Sequence, residues 1–110
     1  MLNIDGNNNI TLTRGDTLTL TLTLKRGTQT YTPEQGDVIR FALSKGYKGE
    51  PAYELKLSKV IPNDTLTFTL TSAETALDYR EYKYDIEITH SDGTVDTFIS
   101  STLTITGEVK

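Results

Sequence analysis

The chain carries one histidine, His90, and no cysteine, which excludes thiol nucleophiles, thiolate metal sites and disulfides. His90 has neither a serine nucleophile context nor a metal partner in the sequence, so it reads as an exposed residue at a hairpin end and not as a general base. Carboxylates are plentiful at Asp78, Glu81, Asp85 and Glu87, but on the outward face of one strand they are solvated charges, and no acid/base couple stands out. Asp5-x-Asn7-x-Asn9 opens like a calcium loop, yet Ile10 stands where the glycine is needed and Asp16 where the closing glutamate belongs. Arg14-Gly15-Asp16 is the tripeptide that integrins recognise on exposed loops; between two strands it reads as a turn. These residues predict no enzyme, no metal and no cofactor.

The remaining chemistry is that of contact. Thr17 to Leu24 alternates threonine and leucine without a break, and Thr65, Thr67 and Thr69 repeat the pattern. If the first, second and fifth strands shared a sheet, Thr11, Thr13, Thr17, Thr19, Thr21, Thr23, Thr65, Thr67 and Thr69 would pave one flat, nearly uncharged face able to bind ice or a partner sheet. Tyr47 and Tyr53 flank a Gly/Pro-rich loop and, with Lys45 and Lys48, form an aromatic and basic patch suited to protein contact. Phe98 is a further contact candidate, because it breaks the phase of its strand.

What positions these residues is a set of strands. Side chains alternate across an extended strand, so Leu18, Leu20, Leu22 and Leu24 form one apolar row and the threonines the other. Burying that row is worth very roughly 6–12 kcal/mol gross, and a one-residue slip would put it in water. The same alternation places Ile10 and Leu12, then Ile39, Phe41 and Leu43, then Tyr53, Leu55 and Leu57, then Leu66, Phe68 and Leu70, then Tyr82, Tyr84, Ile86 and Ile88 inward. Residues 45–51 lose the period and read as a flexible connection; Ser72–Leu77 reads as one or two helical turns capped by Thr71 or Ser72. Asp92-Gly93 favours a two-residue hairpin, and the mismatch between Phe98 and Ile99, Leu103 and Ile105 predicts a bulge near Ser100-Ser101 that leaves Phe98 partly exposed. About seven short strands with one greasy face each, and no crossover helices, predict an all-β, antiparallel β-sandwich.

The length of 110 residues fits one domain, residues 10–106, behind a polar lead-in, residues 1–9. A formal charge of -4 and a pI near 4.9 argue against nucleic acid as partner. No stretch of about 18 apolar residues predicts a membrane span, and the start Met1-Leu2-Asn3-Ile4, with neither basic residues nor an apolar run, predicts cytoplasmic synthesis without a signal peptide.

Asp78-Tyr79-Arg80-Glu81-Tyr82-Lys83-Tyr84 resembles the segment of immunoglobulin-like domains that runs from Asp through a small residue and Tyr to Cys, with Arg80 in place of the small residue and Tyr84 in place of the cysteine. The resemblance implies that the Tyr82 ring sits in the core and its hydroxyl bonds back to nearby backbone. No tryptophan is present, and Phe41 would stand in for it. Ile10 to Thr17, Asp37 to Leu43, and Tyr82 to Ile88 followed by Asp92-Gly93 also resemble the small immunoglobulin-like proteins of tailed-phage and prophage structural gene clusters, relatives of baseplate upper protein amino-terminal domains. That resemblance implies a virion structural or adaptor protein of tail or baseplate, a homo-oligomer docking on other structural subunits without catalysis. The alternative expectation is a bacterial surface immunoglobulin-like module that recognises glycan or protein through its loops.

Overall fold

In the computed structural model, residues 3, 4 and 6–109 are described, Asn3 by its backbone alone. Ten strands follow one another: β1 (Asn3–Ile4), β2 (Ile10–Thr13), β3 (Leu18–Thr21), β4 (Lys25–Arg26), β5 (Gln29–Thr30), β6 (Val38–Lys45), β7 (Glu54–Ile61), β8 (Thr67–Leu70), β9 (Arg80–Thr89) and β10 (Val95–Thr106). The protein is all-β, and among the described residues there is no helix. A six-stranded sheet has the order β1-β2-β10-β9-β6-β7, β3 pairs with β8 in a second sheet, and β4 and β5 form a separate hairpin.

One core lies between the two larger sheets. Leu18, Phe68 and Leu70 from the smaller sheet join Ile39, Phe41, Tyr82, Ile86 and Ile88 from the larger in a single buried cluster, with Leu20 packed against it. The Phe41 and Phe68 rings meet across the layers with centroids 5.0 Å apart, and the Tyr84 ring lies 5.6 Å from that of Phe41. The leucine row of residues 18–24 faces this core and its threonines face solvent. Its regular pairing is shorter than the alternation and ends at Thr21 and Thr67, where Leu66, just before β8, adopts a φ of +53°. Beyond Thr21 the Leu22 amide still reaches that segment, donating to the Leu66 carbonyl at 2.8 Å.

Several expectations are corrected. The sheet is not antiparallel throughout: β2 runs parallel to β10, with Ile10 opposite Leu103 and Leu12 opposite Ile105. β2 therefore belongs to the six-stranded sheet and not beside β3, which removes Thr11 and Thr13 from the threonine face. Ser72–Leu77 is a turn and not a helix. The Thr71 amide donates to Glu74 Oε1 at 2.9 Å and the Glu74 amide to Thr71 Oγ1 at 3.2 Å, the reciprocal pair that usually opens a helix. Here one Thr75-to-Thr71 backbone bond completes the turn and the Leu77 amide already folds back to the Thr75 carbonyl.

In β7 the register shifts between Leu43/Leu57 and Ser44/Leu55, so Lys56 is an extra residue and Leu55 faces outward at 51% exposure, whereas Leu57 faces in. In β10 the shift falls between Thr97 and Ile99, making Phe98 the bulged residue two positions before the expected Ser100-Ser101. The β9–β10 loop is Ser91-Asp92-Gly93, one residue longer than expected, closed by His90 N–H to the Thr94 carbonyl at 2.8 Å, with only Gly93 at positive φ.

Candidate protein-contact surfaces

The outward side chains of the six-stranded sheet form rows fixed by its register. Val60, Arg40, Glu87 and Thr97 make one row, Ser58, Ala42, Asp85 and Ser100 the next, and Leu55, Ser44, Lys83 and Thr102 the third. The small residues of the middle row leave a depression, and the 46–53 loop rises beside it, creating a groove of about 360 Å³ lined in part by Tyr47, Lys48 and Tyr53. That connection holds no helix or strand but is closed by local bonds: Ser44 Oγ donates to the Gly46 carbonyl at 2.7 Å, and consecutive turns close through Glu50 N–H to Tyr47 O at 3.1 Å and Tyr53 N–H to Glu50 O at 3.0 Å. The Tyr47 amide donates to the Glu50 carboxylate as well.

Tyr47 is 55% exposed, and the Lys83 ammonium sits 5.4 Å from its ring centroid while bonded to Glu81 at 3.2 Å. In the groove floor, burial pushes the Asp85 carboxyl above the usual carboxylate range, and the adjacent Glu87 charge adds to it. Among the described residues no cation lies within ion-pair distance of Asp85. Thus Tyr47, Lys48 and Tyr53 are brought together, and Leu55 and Asp85 join them. Leu55 was hidden in the sequence by the bulge at Lys56; Asp85 was legible only as one outward carboxylate among several.

The threonine face is narrower than expected. Thr19 pairs with Thr69 at 3.0 Å and Thr21 with Thr67 at 2.8 Å between their hydroxyl oxygens, so each cross-strand pair shares one hydrogen bond. These hydroxyls line a two-stranded sheet and do not extend into the six-stranded one.

Phe98 lies at the far end, half-buried. Its ring centroid is 5.2 Å from that of Tyr31, and the Arg26 guanidinium lies 4.7 Å from the Tyr31 centroid and 5.7 Å from that of Phe98. His90, expected to be an exposed turn residue, is instead held beside this group with its side chain 18% exposed, between the carboxylates of Asp37 and Asp96. Nothing in the sequence points to Asp37 as a partner of His90, because the two are 53 residues apart.

Arg14-Gly15-Asp16 is a closed turn: the Arg14 amide donates to Thr106 O at 3.0 Å, Gly15 to Thr75 O at 3.3 Å and Asp16 to Thr13 O at 3.1 Å. The Arg14 guanidinium lies over the Tyr79 ring, 5.7 Å from its centroid. Asp5 of the calcium-like run lies outside the described residues; Asn9 of that run accepts hydrogen bonds from Ser101 and Thr102 through its side-chain oxygen. Among the described residues no cluster of three or more His, Asp or Glu side chains is arranged to hold a metal.

No protein-family model matches the chain, and no curated protein matches it.

Proposed function

We propose that this chain is an immunoglobulin-like β-sandwich serving as a non-enzymatic structural or adaptor protein of a phage or prophage particle, docking on other subunits through the outer face of its six-stranded sheet. The observation that carries the docking surface is the groove between the 46–53 loop and the β9–β10 strands, where exposed Tyr47 and Leu55 stand beside a half-desolvated Asp85. Aromatic and apolar side chains around a few polar groups are the composition of an interface core. Two features support the immunoglobulin-like reading: β2, itself flanked by the two-residue edge strand β1, running parallel to β10 in a sheet that faces the β3–β8 pair, and the Tyr82 hydroxyl bonded to the Asp78 carbonyl. Support for the particle itself comes from the sequence resemblance.

The experiment is light scattering on the purified chain across a concentration series, with Tyr47→Ala and Leu55→Asp alongside, together with a search for the chain in purified particles. Self-association or incorporation that both substitutions weaken supports the reading. A strictly monomeric chain that is absent from particles overturns it. The tyrosine rim over a polar floor also fits the second reading, a surface module that binds glycan; saturable binding on a glycan array, lost in Tyr47→Ala, would favour it.

A further inference from the structure

Both ring nitrogens of His90 meet a carboxylate. Nδ1 lies 2.9 Å from Asp37 Oδ1, and Nε2 lies 2.9 Å from Asp96 Oδ2. Each carboxylate is already an acceptor elsewhere: Asp37 Oδ2 takes the Tyr31 hydroxyl at 2.6 Å and the Glu34 amide at 2.9 Å, and Asp96 Oδ2 takes Arg26 Nη2 at 3.0 Å. A neutral imidazole has one donor nitrogen and one acceptor, whereas an ionised carboxylate only accepts. The two bonds therefore coexist only when the ring carries both protons; turned over, the ring would set Cδ2 and Cε1 where the two nitrogens lie and make neither bond.

We infer that His90 is a cationic latch, which when protonated ties the 31–37 loop, the β9–β10 hairpin and, through Asp96 and Arg26, the β4–β5 hairpin together, and which loosens them when it loses a proton. Of the segments it joins, the β4–β5 hairpin is the one with few other fastenings. The β4–β5 hairpin pairs only Lys25 with Thr30 and Arg26 with Gln29, and the Tyr31 amide reaches the Leu24 carbonyl at 2.8 Å. Phe98 lies half-buried beneath Tyr31 and Arg26, beside a concavity of about 200 Å³, so loosening the latch uncovers an aromatic surface.

The charged and titratable groups around the ring come from every neighbouring segment. Arg26 stands on β4, Tyr31, Glu34 and Asp37 on the loop before β6, Asp92 on the hairpin and Asp96 on β10. Hydrogen bonds donated to Asp96 first, and to Asp37 second, hold the His90 imidazole pKa above its ordinary range. The Tyr31 hydroxyl holds the Asp37 carboxyl below its own, and Tyr31 in turn is pushed up to about 12, chiefly by that hydrogen bond. His90 is accordingly the group that changes charge between mildly acidic and alkaline pH. Its folded-state value is raised, so the latch contributes in full below the ordinary imidazole value of about 6.5 and is lost as pH rises through the higher folded value.

The test is a histidine-selective nitrogen NMR titration of the intact chain between about pH 5 and pH 9. Around neutral pH both ring nitrogens are expected to carry protons, with a midpoint above about 6.5 that falls toward that value in Asp96→Asn. In the same samples, amide exchange corrected for its intrinsic pH dependence is expected to speed up at Tyr31 by up to roughly tenfold for each pH unit between about 6.5 and the folded midpoint and to level off above it, while amides of β6 keep their protection. His90→Gln should make the Tyr31 exchange independent of pH; if that variant does not fold, Asp96→Asn, which alters an exposed carboxylate, carries the same comparison. A singly protonated ring at neutral pH, or a midpoint at or below about 6.5, overturns the inference. So does Tyr31 protection that does not change through the midpoint.

Discussion

The hydroxyl of Tyr82 donates to the main-chain carbonyl of Asp78 across 2.8 Å, closing the corner that leads into β9 while the ring itself is only 1% exposed. Burial pushes the phenol pKa up, so it stays protonated and remains a donor through the physiological range. Tyr82→Phe keeps the ring and removes one hydrogen bond, to the carbonyl of the exposed residue Asp78, for an expected loss of about 0.5–1.5 kcal/mol. Tyr82→Ala removes the ring as well and should cost about 3–5 kcal/mol. Urea denaturation of the two variants checks the difference.

Leu18 and Leu55 sit in sequence patterns that look equivalent and in environments that are not. Leu18 is fully buried between the sheets, while Leu55 points outward beyond the bulge at Lys56. Leu18→Ala is expected to destabilise by about 2–5 kcal/mol. Leu55→Ser should stay within about 0.5 kcal/mol, and thermal melts of both variants should separate them clearly.

Gly36 and Gly93 both hold positive φ, +92° and +90°, but only one is also crowded. A Cβ at Gly36 would lie 2.9 Å from the Ser91 Cβ, whereas one at Gly93 would meet nothing within 4 Å. Gly93→Ala should therefore cost about 1–2 kcal/mol for the backbone alone. Gly36→Ala should cost more, and adding Ser91→Gly should recover only the steric part. Chemical denaturation of the single and double variants measures that coupling.

Acid should weaken the fold through Asp37, which is buried and whose carboxyl lies below its ordinary range chiefly because Tyr31 donates to it. A lowered folded value gives stability that is present above the ordinary carboxylate value of about 4 and is lost as pH falls through the folded one. Glu74, held low by Lys59 at 2.8 Å, acts in the same direction. Asp37→Asn should lose about 1.5–3 kcal/mol at neutral pH and flatten the acid limb of a stability–pH profile, which denaturation at several pH values would record.

The inward rows of β3, β6, β8 and β9 were legible in the sequence because each keeps strict alternation over its length, and Leu18, Phe41, Phe68 and Ile86 all reach the core as that alternation requires. What was not legible depends on residues that break the period or meet from far along the chain. One extra residue at Lys56 turns Leu55 out, and the bulge falls on Phe98 itself because that places its ring against Tyr31. The β4–β5 hairpin has only two residues per strand, too few for alternation to register. For the candidate surfaces, Tyr47, Lys48 and Tyr53 were found by local composition, whereas the partners of His90 were set by tertiary packing. The helix expected over Ser72–Leu77 does not form because the Thr71 and Glu74 pair satisfies the local capping rule without enough following chain to build on it.

Because Ile10–Thr13 lies alongside Leu103–Thr106 in the same direction, tension applied at the two ends of the domain would slide these strands past each other. Their cross-links would then carry the load together instead of breaking one after another, as they would in a hairpin opened from its end. A domain laced in this manner is suited to being pulled lengthwise.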